Sequence, residues 1–237
     1  MIRIIKKIFQ KLDSISQKKN ILFIKKKLGN EIETLIDIGA NVGETILEFN
    51  RNFKIKKIYS IEPNFEAYNE IKKQKNKNVE VFNFAASDIE EQDKLKIGYL
   101  SSMSTINEIN NDSIYTKVKS FIIWILTRKF AIYKNETIIE KKRLDKFIDK
   151  QDIDVVDILK IDTEGHEFNV IKGLGDHITK VKLILFEYHD DDSIVKNYSI
   201  DDIDNHFASN NFIQKSKIKM KFRNIYEYIF INKKYLS

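Results

Sequence analysis

Thr34-Leu35-Ile36-Asp37-Ile38-Gly39-Ala40-Asn41-Val42-Gly43 is the stretch on which the reading of this 237-residue chain turns. An apolar, β-branched run stops at an acid and two glycines. A helical pattern, Glu44 to Phe49, follows at once, so the stretch reads as a buried strand, a tight turn and a helix N-terminus. Gly39 and Gly43 let the backbone approach a ligand, and Asp37 offers acceptors to a cationic or hydroxylated group at the strand's end. The Gly-x-x-x-Gly spacing is not the Gly-x-Gly-x-x-Gly of dinucleotide binders. A carboxylate in the turn also opposes a pyrophosphate, which prefers bare N–H groups and positive potential. A sulfonium-bearing adenosyl ligand suits that polarity better. Taken alone, the stretch also fits an ordinary strand-to-helix turn of an α/β protein.

Outward from this loop the pattern repeats. Lys57 to Ile61 reads as a second strand closed by Glu62-Pro63, about twenty residues beyond the glycines, where nucleotide-binding βαβ units place an acid on the ribose hydroxyls. Asn64 caps a helix whose Phe65, Tyr68 and Ile71 share a face. Val79 to Phe84 is a third strand, running into Ala85-Ala86-Ser87-Asp88, a turn of small residues with another acid. Between 92 and 140 the pattern weakens. Leu95 to Leu100 reads as a strand, Ser101 to Thr105 as a hydroxyl-rich loop, and Phe121 to Tyr133 as a helix of three to four turns around Trp124. Thr137 to Lys142 alternates like a strand and Arg143 to Ile148 like a short helix. Val155 to Asp162 is a fourth core strand ending in an acid, and Thr163-Glu164-Gly165-His166-Glu167 opens the next helix. Val181 to Phe186 is a fifth strand, ending in Glu187-Tyr188-His189-Asp190. Ser199 and Asp202 form a capping box, and Phe212–Met220 with Ile225–Ile231 make a closing antiparallel hairpin.

Composition bounds the rest. The length suits one α/β domain, with 42% hydrophobic and 11% aromatic residues. No window carries the ~18 uninterrupted apolar residues of a membrane span. Cysteine is absent. That excludes disulfides, thiolate zinc sites and a cysteine nucleophile, including the one cytosine-C5 methylation needs. The net charge of +6 is local: residues 1–29 carry nine Lys or Arg against one Asp, and residues 30–237 sum to −2. The body is therefore no polyelectrolyte binder. Ile4, Ile5, Ile8, Phe9, Leu12 and Ile15, with Arg3, Lys6, Lys7 and Lys11 between them, make a basic amphipathic helix without a signal peptide's apolar core or cleavage site. It either packs its stripe on the body or lies on a membrane surface. A second helix, Ile21 to Leu28, stops at Gly29. The expected organisation is an extension, 1–30, followed by one domain, 31–237, located in the cytoplasm or at the membrane's inner face.

Asp37-Ile38-Gly39-Ala40-Asn41-Val42-Gly43, Glu62-Pro63 and Leu159-Lys160-Ile161-Asp162-Thr163-Glu164-Gly165-His166-Glu167 together resemble the FkbM family of S-adenosylmethionine-dependent methyltransferases. The resemblance runs from about Thr34 to Ile231. It implies a Rossmann-like class I methyltransferase fold, a mostly parallel seven-stranded sheet with an antiparallel last strand, and O-methylation of a hydroxyl on a sugar or polyketide. It also implies that Asp37, Gly39, Gly43, Glu62 and Asp88 line the cofactor, with Asn41 and Ser87 beside them. The basic helix and Phe121 to Tyr133 match no pattern of that family.

A sugar hydroxyl is a poor nucleophile, so transfer needs an in-line acceptor and removal of its proton. Strands one and four are neighbours where the order of such a sheet reverses, which sets Asp37 and Asp162 on one crevice, with Glu187 and His189 next to it. Asp162 is the expected acceptor-orienting carboxylate, with His166 or Glu187 as base. The lesser route is a divalent metal on Asp162, Glu187 and His189, not expected to be required. His166 and Glu167 serve alternatively as mere helix caps. The competing functions are a nucleic-acid methyltransferase, which would want a basic body and an Asn-Pro-Pro-Tyr-type motif, and a non-catalytic membrane-attached binding module, which would not need converging carboxylates. No nucleic-acid partner is expected, and the oligomeric state is not readable.

Overall fold

A computed structural model describes residues 17–129, 131–220 and 224–236, the side chain of Leu126 apart. The helix expected around Ile4 to Ile15 lies outside these residues.

Helix α1 covers residues 17–28 and ends at Gly29, whose φ of 82° and N–H bond to the Lys25 carbonyl close it in a left-handed cap. Its buried Ile21 and Ile24 join the core, and Asn20 donates to Glu227 at 2.8 Å, so this part of the extension is built into the domain. The chain continues through β1 (Glu31–Ile38), α2 (Glu44–Asn52), β2 (Lys54–Ile61), α3 (Phe65–Lys73), β3 (Val79–Phe82), β4 (Ala85–Ser87) and β5 (Glu91–Gly98). Then come α4 (Ile114–Thr127), β6 (Tyr133–Arg143), α5 (Leu144–Lys150), β7 (Val156–Ile161), α6 (Glu167–Lys172), β8 (Val181–His189), α7 (Ile200–Ser209), β9 (Phe212–Lys219) and β10 (Ile225–Asn232).

Seven strands form one sheet in the order β3-β2-β1-β7-β8-β10-β9, parallel except β10, which runs antiparallel to both neighbours. The parallel strands are buried on both faces, which is why they read as nearly continuous apolar runs. One face carries Leu35, Ile158, Leu183 and Ile229 against Ile21 and Ile24 of α1 and Ile46 and Phe49 of α2; the other carries Ile36, Ile38, Leu159 and Phe186 against α5, α6 and Phe207 of α7. The order reverses between β1 and β7, and Asp162 N–H donates to the Ile38 carbonyl at 3.0 Å just beyond that pair. At the far end of the same strands Asp157 accepts the N–H groups of Glu33 and Thr34 and meets Lys182 at 2.6 Å, which pins β1, β7 and β8 in register.

Two expectations are corrected. The stretch Val79 to Phe84 is not one strand. It breaks at Asn83, whose amide donates to the carbonyls of Glu62 and Pro63, and Ala85–Ser87 leaves to pair with β6 in a separate three-stranded sheet, β4-β6-β5. The helix around Trp124 spans Ile114–Thr127 rather than Phe121 to Tyr133. It starts early because Ser113 accepts the N–H groups of Tyr115 and Thr116, and it stops at Arg128 in a left-handed cap. Tyr133 opens β6. The capping box of Ser199 and Asp202 is present, as is the antiparallel β9–β10 pair.

Candidate functional site

The turn after β1 is held tightly. Gly39 and Ala40 donate to the Ile61 carbonyl, and the Gln74 amide grips the Val42 carbonyl at 2.7 Å. Gly39 has φ 75°, and a Cβ there would sit 1.8 Å from the Asp162 carbonyl oxygen, so only glycine lets β1 and β7 approach so closely. Gly43, at φ 85°, starts α2. Glu62, 6% exposed, accepts the Asn41 N–H at 2.7 Å and the Asn64 N–H at 2.8 Å, which ties the ends of β1 and β2 together. Burial lifts its carboxyl to about 7 against the donated backbone bonds.

Polar atoms without hydrogen-bond partners gather at this edge. Both oxygens of Asp37, which is fully buried, lack one, as do Asn41 Oδ1 and Ser60 Oγ, and Ser60 is the strand partner of Asp37. Burial raises Asp37 to about 6, opposed by Lys160, whose Nζ stands 4.0 Å away. Buried polar groups are almost always satisfied, so such a concentration marks a place for a ligand rather than for core. Those acceptors fit the ammonium and ribose hydroxyls of an adenosyl-amino-acid cofactor. A cleft of about 450 Å³ opens beside them, lined by Val42, Asn64 and Phe65 on one side and Gly98, Ser101 and Lys134 on the other. Phe65 is 63% exposed and stacks on Tyr68.

The next group centres on Lys160 of β7. Its ammonium is 3.2 Å from Asp162, and burial is outweighed by Asp162, Asp37 and Glu187, which hold its pKa up. Three acids on β1, β7 and β8 thus share one buried cation. Beyond β7 the chain turns through Glu164 at φ 52° and Gly165 at φ 102°. The fully buried Glu167 fixes this turn by accepting from Thr163 N–H and Oγ1 and from Gly165 N–H, with the Tyr198 hydroxyl donating to its other oxygen at 2.7 Å. Thr105 donates to the Glu164 carbonyl and Asn107 to that of Gly165. The turn so held points Glu164 at His189: Oε2 is 3.4 Å from Nε2, and Glu187 Oε1 is 3.3 Å from the same nitrogen. Asp191 stands 3.7 Å from Nδ1. Three carboxylates around the buried ring raise the His189 pKa despite desolvation, while burial raises Glu164 to about 7.

Asp37, Gly39, Asn41, Gly43 and Glu62 therefore meet at one edge, with Asp162, Glu187 and His189 along the same strand ends. Two further sequence candidates are engaged with partners at α6 and β4. Asp88 follows β4 in the second sheet, where Lys172 at 2.6 Å and Asn169 at 3.0 Å pair it; despite partial desolvation, these bonds lower its carboxyl to about 2. His166 starts α6 without a side-chain cap bond, its Nε2 3.0 Å from the buried Ser87 hydroxyl, and desolvation with Lys141 nearby depresses it to about 4. Ser87 thus serves this contact and Asp88, and the ring is neutral but engaged. For a metal, the donors brought together are Glu164, Glu187 and His189, rather than Asp162, Glu187 and His189. Glu164 lay unremarked inside the Asp162-to-Glu167 motif; a charged residue beside a turn glycine was the available signal.

Residues 37–214, about three quarters of the chain, match the family model described as the Methyltransferase FkbM domain. No curated protein matches. Among solved structures the chain is similar to Methyltransferase FkbM from Methylobacillus flagellatus KT, with 16% identity and a TM-score of 0.53; the match covers 84% of this chain and 43% of that one, so the chain spans less than half of that protein. It also matches M. capricolum TrmK in complex with S-adenosyl-homocysteine (15% identity, TM-score 0.49, 90% of this chain and 67% of that one). A third match is a SAM-dependent methyltransferase from Aquifex aeolicus (13%, 0.47, 90% and 89%). The first of these likenesses supports the fold; at such identities none speaks for a substrate.

Proposed function

This chain belongs to the FkbM methyltransferase family, and we propose that it moves a methyl group from S-adenosylmethionine to a hydroxyl of a sugar or glycan precursor. The observation that carries the cofactor half is the set of unpartnered buried atoms on Asp37, Asn41 and Ser60 beside the glycine turn. The cofactor, when bound, supplies an electrophilic methyl on a sulfonium. The chain's part is to bind, orient and take a proton. Asp37 receives a cationic group, and Glu62, already fixed by two backbone N–H groups, turns its remaining lone pairs to the ribose hydroxyls. Asp162, steadied by Lys160, orients the acceptor, and Glu187 beside His189 is the group placed to take the hydroxyl proton. His166, neutral and bonded to Ser87, keeps α6 seated on β4 in this reading and takes no proton.

A membrane-linked acceptor is favoured by one element. Helix α4 turns Ile114, Val118, Phe121 and Ile125 to solvent at i, i+4, i+7 and i+11, while Thr116 and Ile123 on its opposite face are buried. That inverts the usual pattern of a surface helix. Lys117, Arg128 and Lys129 are exposed on or just beyond it, and α4 contains no acid. Thr116 and Lys119 of α4 share a narrow cavity with Glu164, so the buried face of α4 adjoins the acceptor side of the site and the apolar stripe looks away from it. No helix among the described residues is long and apolar enough to cross a membrane, so contact would be peripheral, the basic residues 1–29 adding attraction to anionic lipid.

The test is transfer of labelled methyl from S-adenosylmethionine to a panel of free, nucleotide-linked and polyprenyl-linked sugars. Label in an alkali-stable ether is the expected product. Label in tRNA instead, or only in alkali-labile esters, overturns the hydroxyl assignment.

A further inference from the structure

Neither ring nitrogen of His189 has a hydrogen-bond partner, although the residue is only 1% exposed. Its Nε2 faces Glu164 Oε2 at 3.4 Å and Glu187 Oε1 at 3.3 Å, and one donor atom from each of the three residues lies within 4.8 Å of the other two. These separations are long for a hydrogen bond. They are right for ligands sharing one ion: two donors each ~2.1 Å from a metal and about 90–110° apart stand roughly 3.0–3.4 Å from one another. Two carboxylates and one imidazole, supplied by the turn after β7 and the end of β8, leave the remaining coordination positions to outside ligands. On the other side of the ring, Asp191 faces Nδ1 at 3.7 Å and is itself fixed by the Ser193 N–H at 2.9 Å. A carboxylate behind the ligating imidazole is the usual way such a ring is oriented.

We propose that Glu164, Glu187 and His189 bind a divalent cation at the mouth of the acceptor site. This rests on the methyltransferase reading and gives it its means of activation. The acceptor hydroxyl takes an open position on the ion, which withdraws charge from the oxygen and acidifies it. With Glu187 engaged on the ion, the base role passes from it to Asp162, which is not a ligand: the oxygen–methyl bond forms as the sulfur–methyl bond breaks, S-adenosylhomocysteine leaves, and the hydroxyl proton goes to Asp162. The sequence expectation placed Asp162 among the ligands; the turn held by Glu167 puts Glu164 there instead.

The probe is Mn²⁺, added to chelator-treated full-length protein and followed by electron paramagnetic resonance and calorimetry in the presence and absence of S-adenosylhomocysteine. One Mn²⁺ per chain is expected. Glu164→Gln and Glu187→Gln should each weaken it tenfold or more, with S-adenosylhomocysteine affinity within about twofold of the parent. Glu164 lies on a turn and is partly exposed, so E164Q reports on the site even if His189→Gln fails to fold. Absence of stoichiometric Mn²⁺ at millimolar concentration, or unchanged affinity in both glutamine variants, overturns the proposal. If Mn²⁺ is absent while S-adenosylhomocysteine binds, the metal site alone falls. Mn²⁺ bound as expected to a protein that takes no S-adenosylhomocysteine supports the ion site and removes the methyltransferase reading.

Discussion

Asp37 is a carboxylate with no hydrogen bond and no exposed surface, raised from 3.8 to about 6 by its burial. Because folding raises its pKa, the protonated form is the one the fold prefers. Its contribution is therefore fully present below the unfolded value of 3.8 and is lost as pH climbs through about 6. Asp37→Asn removes that titration. The cofactor-free variant should gain stability over the parent at pH 8, on the order of 1–3 kcal/mol, and gain roughly half as much at pH 5, while losing most affinity for S-adenosylmethionine. Urea unfolding at the two pH values checks it; an equal gain at both would show that burial of the charge is not the cause. Glu62→Ala should weaken S-adenosylhomocysteine binding by about 1.5–3 kcal/mol. Asp162→Asn and Glu187→Gln should each lose most turnover at unchanged cofactor affinity, read from kcat and calorimetry; near-normal turnover in both would remove them from the chemistry. At this scale the sequence exposed residues whose meaning is local, such as an acid ending an apolar run before glycine. Lys160 and Glu164 were opaque because their partners, Asp37 and His189, come from β1 and β8, and no local pattern predicts those encounters.

Elements are where two glycines of similar φ part company. Gly39 and Gly29 have φ of 75° and 82°, but a Cβ on Gly39 strikes the Asp162 carbonyl whereas one on Gly29 meets nothing within 4 Å. Gly29→Ala should cost about 1–2 kcal/mol, the left-handed penalty alone. Gly39→Ala must also push β1 from β7 and should cost upward of about 3 kcal/mol or abolish folding. Similar denaturation midpoints for both variants would mean that the β1–β7 approach is looser than described. Helix α4 gives the other prediction of this scale. Phe121→Ser with Ile125→Ser should leave the melting temperature within a degree or two, since both side chains are exposed, yet reduce sedimentation with anionic vesicles severalfold. Vesicle binding that is absent in the parent, or unchanged in the variant, leaves the apolar stripe without a membrane role. The helix was legible in kind but shifted by seven residues at its start. Its apolar residues face outward, so core periodicity could not locate its ends, and the Ser113 cap fixed them instead. β3 was overrun for a related reason: Val79, Val81, Phe82 and Phe84 continue the apolar pattern past the strand's end, and only the tertiary bonds of Asn83 break it.

For the whole molecule, the central parallel strands were readable because both faces are buried and each βα turn falls at a sheet edge, where an acid or glycine stands out. The placement of the small sheet was not, since β4 and β6 pair across more than fifty residues. That pairing brings Ser87 to His166, and Asp88 to Lys172 and Asn169 of α6. What remains at the edge is a glycine turn, a clamped Glu62 and a cluster of unpartnered buried acceptors, a cradle for a cationic, hydroxyl-rich adenosyl ligand. The most direct measurement is calorimetric titration of the protein with S-adenosylhomocysteine, S-adenosylmethionine and NAD. Saturable one-to-one binding of both adenosyl-sulfur ligands, weakened tenfold or more by Glu62→Ala and with no heat from NAD, is the predicted result. Binding of NAD in their place, or no heat from either at millimolar concentration, would contradict it.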